Sequence, residues 1–438
     1  MHLAGNSMHL AGRMAARSSV CVLRMGGCGV RGAPVLPVGG AARAGWKPAF
    51  QAGARRSLIL GRMGRSGTWM AAGLALAVAA GSCRASIWPG PEATREALIA
   101  LHQDVRGRVL AGDLARADGF AYAVDVGELL RVASRLGDRE MYAALRSFAV
   151  QRLIVDEPDD PYTRGFVLWR RTPVPTDDED APDASGTTEA LRVSEGLWEG
   201  ALAFGANEDR DLALTILDGY ARHASDAVGL LLIRNYFNFG SRDFATNSFL
   251  VDYAPDYVAR VARHTGRQDF AKLAARSYEV VRAARSPAGL IYDVFQPEMA
   301  TLFDDRRTLL YSPNDIVQTS NAAAIAATVL EGAPEVASRV LAFCRDRMPG
   351  LKLAYYGRTA EEARQKRPGI EIWGTLTEMS VRRRDETAIR AFAPFLVSNA
   401  VADRIPGDAF LYVGAHLLLG LEALDRHFGL ERPLPPFR

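Results

Sequence analysis

Amphipathic helical segments fill almost the whole chain, and they come in pairs. A small-residue turn, such as Gly205-Ala206-Asn207 or Thr265-Gly266-Arg267, separates the helices of a pair, and longer polar loops separate the pairs. The predicted helices span residues 92–110, 124–136, 140–153, 189–204, 208–223, 245–264, 269–285, 314–330, 334–347, 371–381, 386–397 and 409–428. Six antiparallel hairpins with their long loops gathered at one end predict an all-α fold, an (α/α)₆ toroid. The alternative is an open α-solenoid, although no fixed repeat length favours it.

Residues 63–83 have the features of an export signal. A short basic stretch, MGRSG, precedes the apolar run TWMAAGLALAVAA, which is too short for a stable membrane anchor, and Gly81-Ser82-Cys83 follows. This segment resembles a bacterial lipoprotein signal in which Cys83 is the lipidated residue. An ordinary cleaved signal or a single anchor is the alternative. The resemblance implies a lipid-anchored protein of the periplasm or cell surface, and Arg84 favours the outer membrane.

Composition divides the rest of the chain. Residues 1–62 are rich in Gly, Ala and Arg without helical or strand periodicity, so we expect a disordered leader, or an upstream start codon with Met63 as the true beginning. Residues 84–92 form a linker, and residues 93–438 form the toroid domain. A net charge of +3 gives no reason to expect nucleic acid, and 48% hydrophobic residues suffice for a large core. After Cys83 only Cys344 remains, so the mature protein has no internal disulfide.

Glu195 is the most unusual residue of the predicted helices. It lies on the same apolar stripe as Leu191 and Trp198. A carboxylate on a buried face is costly unless it is paired, hydrogen-bonded or lines a cavity. Gly196 and Gly200 remove side chains from the adjacent face, so another segment can approach closely. Glu195 is therefore either a catalytic or sugar-binding acid, or a solvated residue at the edge of the stripe.

Three further segments combine aromatic side chains with amides and carboxylates, as carbohydrate sites do. They are residues 234–256, 286–298 and 310–321. The alternatives are aromatic residues that cap the core and an ordinary helix N-cap at Asn314 or Asp315. Trp169 and Trp373 are candidate stacking platforms, or core residues. The substrate-binding candidates are Asp183, Trp198, Asn235, Tyr236, Asp243, Asn247, Tyr253, Tyr292 and Trp373, and the candidate carboxylates besides Glu195 are Asp256, Asp293 and Asp315.

Common cofactor and metal motifs are missing from the sequence. It contains no GxSxG, HExxH, CxxC, Walker or GxGxxG motif. The histidines that follow Cys83 are not at metal-binding spacing, and the acidic run 177–183 is best explained as a solvated loop. We therefore expect neither a cofactor nor a metal.

The stretch SEGLWEGAL resembles the SEGxxYGxxL motif of family 8 glycoside hydrolases, which belong to the six-hairpin glycosidase superfamily. NSFLVDYAPDYVARVARHTGRQDFAKLAARSY and AGLIYDVF resemble later segments of that family, in the same order over about residues 183–320. The resemblance implies that Glu195 is the proton-donating acid. Asp315, in YSPNDIVQ, takes the position of the base, although the arginines of that motif are absent. Asp243 occupies the stretch of an ATDAD-like segment without a clear match.

These features lead to three hypotheses. The first is an exported glycoside hydrolase acting on a bacterial polysaccharide, in which Glu195 with a raised pKa protonates the leaving oxygen while Asp315, Asp293 or Asp256 activates water. The second is a non-catalytic glycan-binding or scaffold subunit of an exopolysaccharide export system. The third is a polysaccharide lyase that uses Tyr253 or Tyr257. The expected partners are a polysaccharide or oligosaccharide, the membrane through the lipid anchor, and export machinery.

Overall fold

The computed structural model describes residues 88–157, 159–175, 183–297 and 309–429. Cys83, the export signal, the leader and residues 84–87 lie outside these ranges, so the predictions for them are not tested. The described residues form twelve α-helices: α1 (Pro91–Leu110), α2 (Ala123–Leu136), α3 (Arg139–Phe148), α4 (Thr187–Phe204), α5 (Asn207–Ala221), α6 (Pro255–Thr265), α7 (Gln268–Ala283), α8 (Thr319–Ala327), α9 (Pro334–Arg345), α10 (Glu371–Arg383), α11 (Glu386–Asn399) and α12 (Phe410–His427).

The helices form an (α/α)₆ toroid, which confirms the predicted fold class. The even-numbered helices form the inner ring and the odd-numbered helices surround them. Glycines allow the inner helices to pack closely: a Cβ on Gly196 would lie 2.5 Å from Leu130 Cβ, and one on Gly374 would lie 1.9 Å from the His416 carbonyl oxygen. Gly196 and Gly200 thus have the packing role that the sequence suggested, since a Cβ on Gly200 would meet the Tyr142 ring at 2.1 Å.

The first and last helices close the ring. Helix α1 packs against α12, and Arg95 Nη1 lies 2.9 Å from Asp425 Oδ2 across this contact. The segment Gly407–His427 is long and apolar enough to cross a membrane, but 72% of its most apolar stretch of 18 residues is buried inside the protein. Its hydrophobicity is explained by its place in the inner ring, where both sides of the helix contact other helices.

The loops that precede the inner helices carry short antiparallel strands. The strands are β1 (Ala121–Tyr122), β2 (Arg170–Arg171), β3 (Ala184–Gly186), β4 (Ala224–Ala227), β5 (Leu230–Ile233), β6 (Tyr236–Asn238), β7 (Asp243–Phe244), β8 (Ser248–Phe249), β9 (Val294–Phe295), β10 (Leu310–Tyr311), β11 (Ile316–Gln318), β12 (Ala354–Tyr356) and β13 (Glu362–Arg364). They form the sheets β1-β2, β3-β6-β7, β4-β5, β10-β9-β8 and β11-β12-β13. We call the end of the ring where the inner helices begin the open end.

Two predicted helices begin later than expected. Helix α6 begins at Pro255 rather than Ala245, because β8 and a 3₁₀ turn, Leu250–Asp252, precede it, and a proline fits the first turn of a helix. Helix α8 begins at Thr319 rather than Asn314, after a turn and β11. Cys344 is fully buried in the core, as predicted.

Candidate active site

Polar residues surround the open end of the ring. Every inner helix contributes at least one from its first turns or from the segment leading into it: Asp125 from α2, Glu189 from α4, Asp252 before α6, Ser320 and Asn321 from α8, Glu371 from α10 and Tyr412 from α12. Helix N-termini favour carboxylates because their free N–H groups and dipoles carry partial positive charge. The open end is therefore an acidic, polar site within a largely apolar protein.

Glu189 is a half-buried carboxyl at the third position of α4. The residue before the helix is Gly186, where a Cβ would lie 1.9 Å from Glu189 Oε2. The missing side chain lets the carboxyl group fold back over the start of the helix. Burial raises the pKa of Glu189 to about 7; the neighbouring charge of Asp125 adds to this, while Arg116 opposes it. Within the described residues, no other side chain donates a hydrogen bond to Glu189.

Asp252 lies beside the start of the same helix. The Thr188 hydroxyl donates to its Oδ1 at 2.7 Å, and the Phe249 backbone N–H donates to its Oδ2 at 2.7 Å. Burial raises the pKa of Asp252 to about 7, with a further contribution from the charge of Glu189. Two carboxyl groups that gain protons near neutral pH therefore lie within electrostatic range of each other.

Asp125 forms the neighbouring wall with Arg116. Arg116 donates to both carboxylate oxygens, from Nε at 2.8 Å and from Nη2 at 2.5 Å, and its guanidinium stacks 4.1 Å from the centre of the Tyr122 ring. Burial raises the pKa of Asp125, although Arg116 opposes the shift. This bidentate ion pair fixes one carboxylate and one guanidinium group next to Glu189.

Asp293 and Asp315 lie in the segment that leads into α8, and the Asp293 carbonyl accepts the Leu250 backbone N–H at 2.9 Å, next to the turn that carries Asp252. Burial raises the pKa of Asp293 to about 6, and the Ser312 hydroxyl donates to this carboxylate. Asp315 accepts the Tyr292 hydroxyl at 2.9 Å and the Arg358 N–H at 3.0 Å, and its φ of 58° is in the left-handed region. Both oxygens of Asp315 therefore hold loops together, whereas Asp293 retains a carboxyl that gains and loses a proton near pH 6.

Glu371 completes this side of the open end. It begins α10, is almost fully buried, and accepts the Ser320 hydroxyl at 3.1 Å. Burial raises its pKa. Tyr412 of α12 lies in the electrostatic neighbourhood of both Glu371 and Asp125, so it links the two parts of the site.

Glu195 lies deeper in the ring, six residues further along α4 than Glu189, which corresponds to about 9 Å. Its carboxylate is 2.7 Å from Arg260 Nη2 and 3.6 Å from both Arg131 Nε and Arg192 Nη1. Burial alone would raise the pKa of Glu195, but these cations hold it at about 2. The prediction of a raised pKa is therefore wrong, because the sequence shows burial but not the arginines that neutralise it.

A larger set of ion pairs surrounds Glu195, and we call it the axial cluster. It brings together residues from five inner helices: Glu128, Arg131 and Arg135 of α2, Arg192, Glu195 and Glu199 of α4, Arg260 of α6, Glu378 of α10 and Glu422 of α12. The charges of Arg135 and Arg131 outweigh burial and lower the pKa of Glu378 to about 2. The axis of the ring is thus filled by paired charges rather than by apolar side chains.

Several other predicted site residues have structural partners. Asp256 accepts the Tyr278 hydroxyl at 2.6 Å and backbone N–H groups of Glu331 and Gly332, so it joins α6 to α7 and to the turn after α8 instead of acting as a base. Trp198 packs against His264 and Trp373 against Phe395, with ring centres 5.2 and 5.0 Å apart. Trp198 and Trp373 are buried core residues, so Trp373 does not form a stacking platform. The other stacking candidate, Trp169, is half-buried, and its ring centre lies 5.7 Å from that of Tyr122.

The two tyrosines of the lyase hypothesis are also buried. The Tyr253 hydroxyl donates to the Leu231 carbonyl at 2.9 Å and accepts the Ile233 N–H at 3.2 Å. The Tyr257 hydroxyl lies 2.6 Å from Ser194 Oγ. Burial raises both pKa values, so neither hydroxyl is suited to abstract a substrate proton. Tyr253 is fully buried and therefore inaccessible to a substrate, so its predicted substrate-binding role is wrong.

The remaining predicted binding residues lie along β3, β6 and β7 at the open end. Asp183 is exposed and accepts the Trp169 indole N–H at 2.7 Å. The Asn235 carbonyl accepts the N–H and hydroxyl of Thr187 at 3.1 and 2.9 Å, and the Asn247 carbonyl accepts the Asn235 N–H at 2.9 Å. Tyr236 and Asp243 are exposed near them. The structure thus brings these residues together beside the start of α4, whereas the sequence did not single out Glu189, Asp125 or Glu371.

No group of His, Cys, Asp and Glu side chains in the described ranges is arranged to hold a metal ion. No protein-family model and no curated relative matches the sequence.

Solved glycosidases share the fold. An α-amylase from Clostridium perfringens aligns with a TM-score of 0.54 at 12% identity, over 70% of this chain and 87% of that one. The endo-β-1,4-glucanase CMCax from Acetobacter xylinum aligns with a TM-score of 0.53 at 13% identity, over 77% and 99%. A reducing-end-xylose releasing exo-oligoxylanase aligns with a TM-score of 0.51 at 14% identity, over 74% and 93%. The chain therefore has the same (α/α)₆ toroid fold as these enzymes, as the resemblance implied.

Proposed function

We propose that this protein is an exported glycoside hydrolase that cleaves a bacterial exopolysaccharide, with Glu189 as the proton donor. The observation that carries the proposal is the half-buried Glu189 carboxyl, with a pKa of about 7, at the open end of a glycosidase fold. A general acid works best when its pKa lies near the working pH, because it must be protonated and still be able to release the proton.

Asp293 is the proposed base. Its pKa of about 6 lies below that of Glu189, so between these values Asp293 is mostly ionised while Glu189 is mostly protonated. Asp252 is a weaker choice, because it is 1% exposed and its oxygens are engaged by Thr188 and Phe249. Asp315 uses both oxygens to hold Tyr292 and the backbone of Arg358.

Reducing-sugar release from bacterial polysaccharides and from xylan or cellulose oligosaccharides tests the proposal. Glu189→Gln keeps the size of the side chain but removes its titrating proton, so the rate should fall by roughly two to four orders of magnitude with the melting temperature nearly unchanged. The Asp293→Asn variant should also release reducing sugar more slowly, with its fold retained. Full activity of Glu189→Gln would contradict the assignment.

A second candidate function is glycan binding without hydrolysis, as a subunit of an export system. It is favoured by the ion pairs of Glu195, which engage the glutamate of the SEG stretch in the axial cluster. Oligosaccharide binding without any reducing-sugar release, and without an effect of Glu189→Gln on binding, would support this function over hydrolysis.

We further propose that Cys83 carries a lipid that anchors the protein in the outer membrane. The apolar run ending at Ala80-Gly81-Ser82-Cys83 supports this proposal. Cys83→Ser should move the protein from the membrane fraction to the soluble fraction, as measured by immunoblotting of fractionated cells. The neighbouring Ser82→Ala, which keeps the cysteine, is the control. An unchanged membrane fraction for Cys83→Ser would contradict the lipid anchor.

A further inference from the structure

A pocket with three charged side chains lies beside the strands of the open end. It has a volume of ≈ 450 Å³ and lies between the β4–β5 hairpin and β7. Its polar side chains include Arg234, Arg242 and Asp243, and its aromatic residue is Phe244. We call it the Arg234 pocket. None of these residues has a role in the proposed proton transfer.

Arg234 is held rigidly but is not neutralised. Its guanidinium carbon lies 3.8 Å from the centre of the Phe244 ring, while Nε donates to the His223 carbonyl at 3.1 Å and Nη2 to the Arg222 carbonyl at 3.0 Å. A guanidinium has five N–H donors, so three are left after these two hydrogen bonds. Within the described residues, no carboxylate lies within 4 Å of Arg234.

The surroundings of Arg234 add positive charge rather than remove it. The neighbouring Arg222 also donates to a backbone carbonyl, that of Arg164, and the acid in its electrostatic neighbourhood, Asp218, is already 2.7 Å from Arg267 Nη2. His223 between them is neutral, because burial lowers its pKa to about 3. Arg242 is paired with Asp160 at 3.1 Å. Among the described residues, the cation of Arg234 therefore has no ion-pair partner, and Asp243 is the carboxylate that lines the same pocket.

The backbone connects this pocket to Glu189. Arg234 precedes Asn235, whose carbonyl binds Thr187 at the first turn of α4. Strand β3, which leads into α4, pairs with β6, and β6 pairs with β7, which carries Asp243 and Phe244. Two strand spacings amount to about 10 Å. Strand β7, which lines the pocket, is therefore only two strands away from the strand that leads to Glu189.

We propose that the Arg234 pocket binds a carboxylate-bearing sugar unit, so that the substrate is an acidic polysaccharide. This inference rests on the proposed function, in that a polysaccharide occupies the open end. The free edge of the Arg234 guanidinium accommodates a carboxylate with two parallel hydrogen bonds, and its stacking on Phe244 fixes the plane of that edge. Asp243, exposed at the same pocket, accepts hydroxyl groups of the same sugar.

Binding of two small probes tests this inference without any need for catalysis. Methyl β-glucuronide and methyl β-glucoside differ only at C6, which is a carboxylate in the first and a hydroxymethyl group in the second. Ligand-observed NMR measures their affinities for the protein. We expect the glucuronide to bind at least about tenfold more tightly, which is the scale of one charged hydrogen-bonded contact. This preference should weaken as the salt concentration rises. Equal affinities for the two probes would overturn the inference.

Substitutions of pocket residues test whether the Arg234 pocket causes the preference for the glucuronide. Arg234→Gln should abolish the preference for the glucuronide. Because Arg234 also supports two backbone carbonyls, Phe244→Leu provides a second variant that keeps the charge, and it should weaken the preference by releasing the guanidinium. Arg210→Gln, which removes a cation from the start of α5, is the matched control and should bind both probes as the unmodified protein does. An unaltered preference in both pocket variants would overturn the assignment.

The outcomes for the pocket and for catalysis are separable. A glucuronide preference in a protein that releases no reducing sugar would contradict the hydrolase alone. Hydrolysis of neutral polysaccharides by a protein without that preference would contradict the acidic-sugar pocket alone.

Discussion

Two glutamates on one helix have opposite electrostatic surroundings. Glu189 lies at the start of α4, where burial raises its pKa to about 7, and Glu195 lies among three arginines that hold its pKa at about 2. Apolar periodicity identified Glu195 as buried, but the partners that decide its charge are distant in sequence, as Arg260 is by 65 residues. Glu189 was missed because an acid in the first turn of a helix is commonplace.

The raised pKa of Glu189 predicts the alkaline limb of the pH–rate profile. The proton donor must be protonated, so kcat/KM should fall as the pH rises through about 7. The charge of Asp125 contributes to the raised pKa. Asp125→Asn removes that charge without changing the size of the side chain, so it should shift the limb to lower pH. A limb that stays in place in Asp125→Asn would contradict the electrostatic account.

Glu195 should matter for stability. Glu195→Ala leaves three cations of the axial cluster with less neutralisation, and breaking a buried ion pair costs about 3–5 kcal/mol. Urea denaturation measures the loss in the free energy of unfolding. Glu189→Ala is the matched control on the same helix and should change this free energy far less, since it removes no ion pair. Similar losses in the two variants would contradict the structural role of Glu195.

At the scale of elements, the helix pairs were predictable, and the segments leading into them were not. Turn signals such as Gly205 and Gly266 end helices in the left-handed conformation, so the sequence located those boundaries. The segment before α6 was predicted to be helical because the spacing of its apolar residues suits either a helix or a strand. Instead, β8 and the 3₁₀ turn bring Asp252 next to Thr188. Such placement depends on contacts between distant segments, which periodicity does not report.

The two glycines that flank α4 provide a matched pair of variants. Gly186→Ala places a Cβ 1.9 Å from Glu189 Oε2, at a φ of −122° that any residue adopts. The carboxyl group should move, so the rate of hydrolysis should fall with little change in stability. Gly205→Ala meets no atom within 4 Å but has a φ of 74°, so it should cost about 1 kcal/mol of stability with activity unchanged. Thermal unfolding and hydrolysis assays of both variants would reveal any reversal of this pattern.

At the scale of the whole molecule, the carboxyl groups divide into two sets with opposite pH effects. Glu189, Asp252 and Asp293 have folded-state pKa values of about 7, 7 and 6, so the folded protein binds their protons more tightly than the unfolded chain does. Glu195 and Glu378, with values of about 2, bind protons less tightly when folded. The first set lowers stability as the pH rises towards 7, and the second set lowers it as the pH falls towards 2.

The free energy of unfolding should therefore be highest near about pH 4, where carboxyl groups titrate in the unfolded chain. Urea denaturation at about pH 2, 4 and 7 should give a maximum at the middle value. Glu189→Gln removes one group of the first set, so the decrease from about pH 4 to pH 7 should become smaller in this variant, while the decrease towards about pH 2 should remain. Stability that rises steadily from about pH 2 to pH 7 would contradict this division.

The closure of the ring by α1 and α12 affects how the protein folds during its synthesis. Arg95 and Asp425, which join the two helices, are separated by 330 residues. The ribosome therefore releases α1 long before its partner exists, and the nascent chain remains an incomplete arc until the last helix emerges. The open end becomes a full circle only when Tyr412 of α12 joins Asp125 and Glu371. We expect a translation product that stops before α12 to have no partial activity.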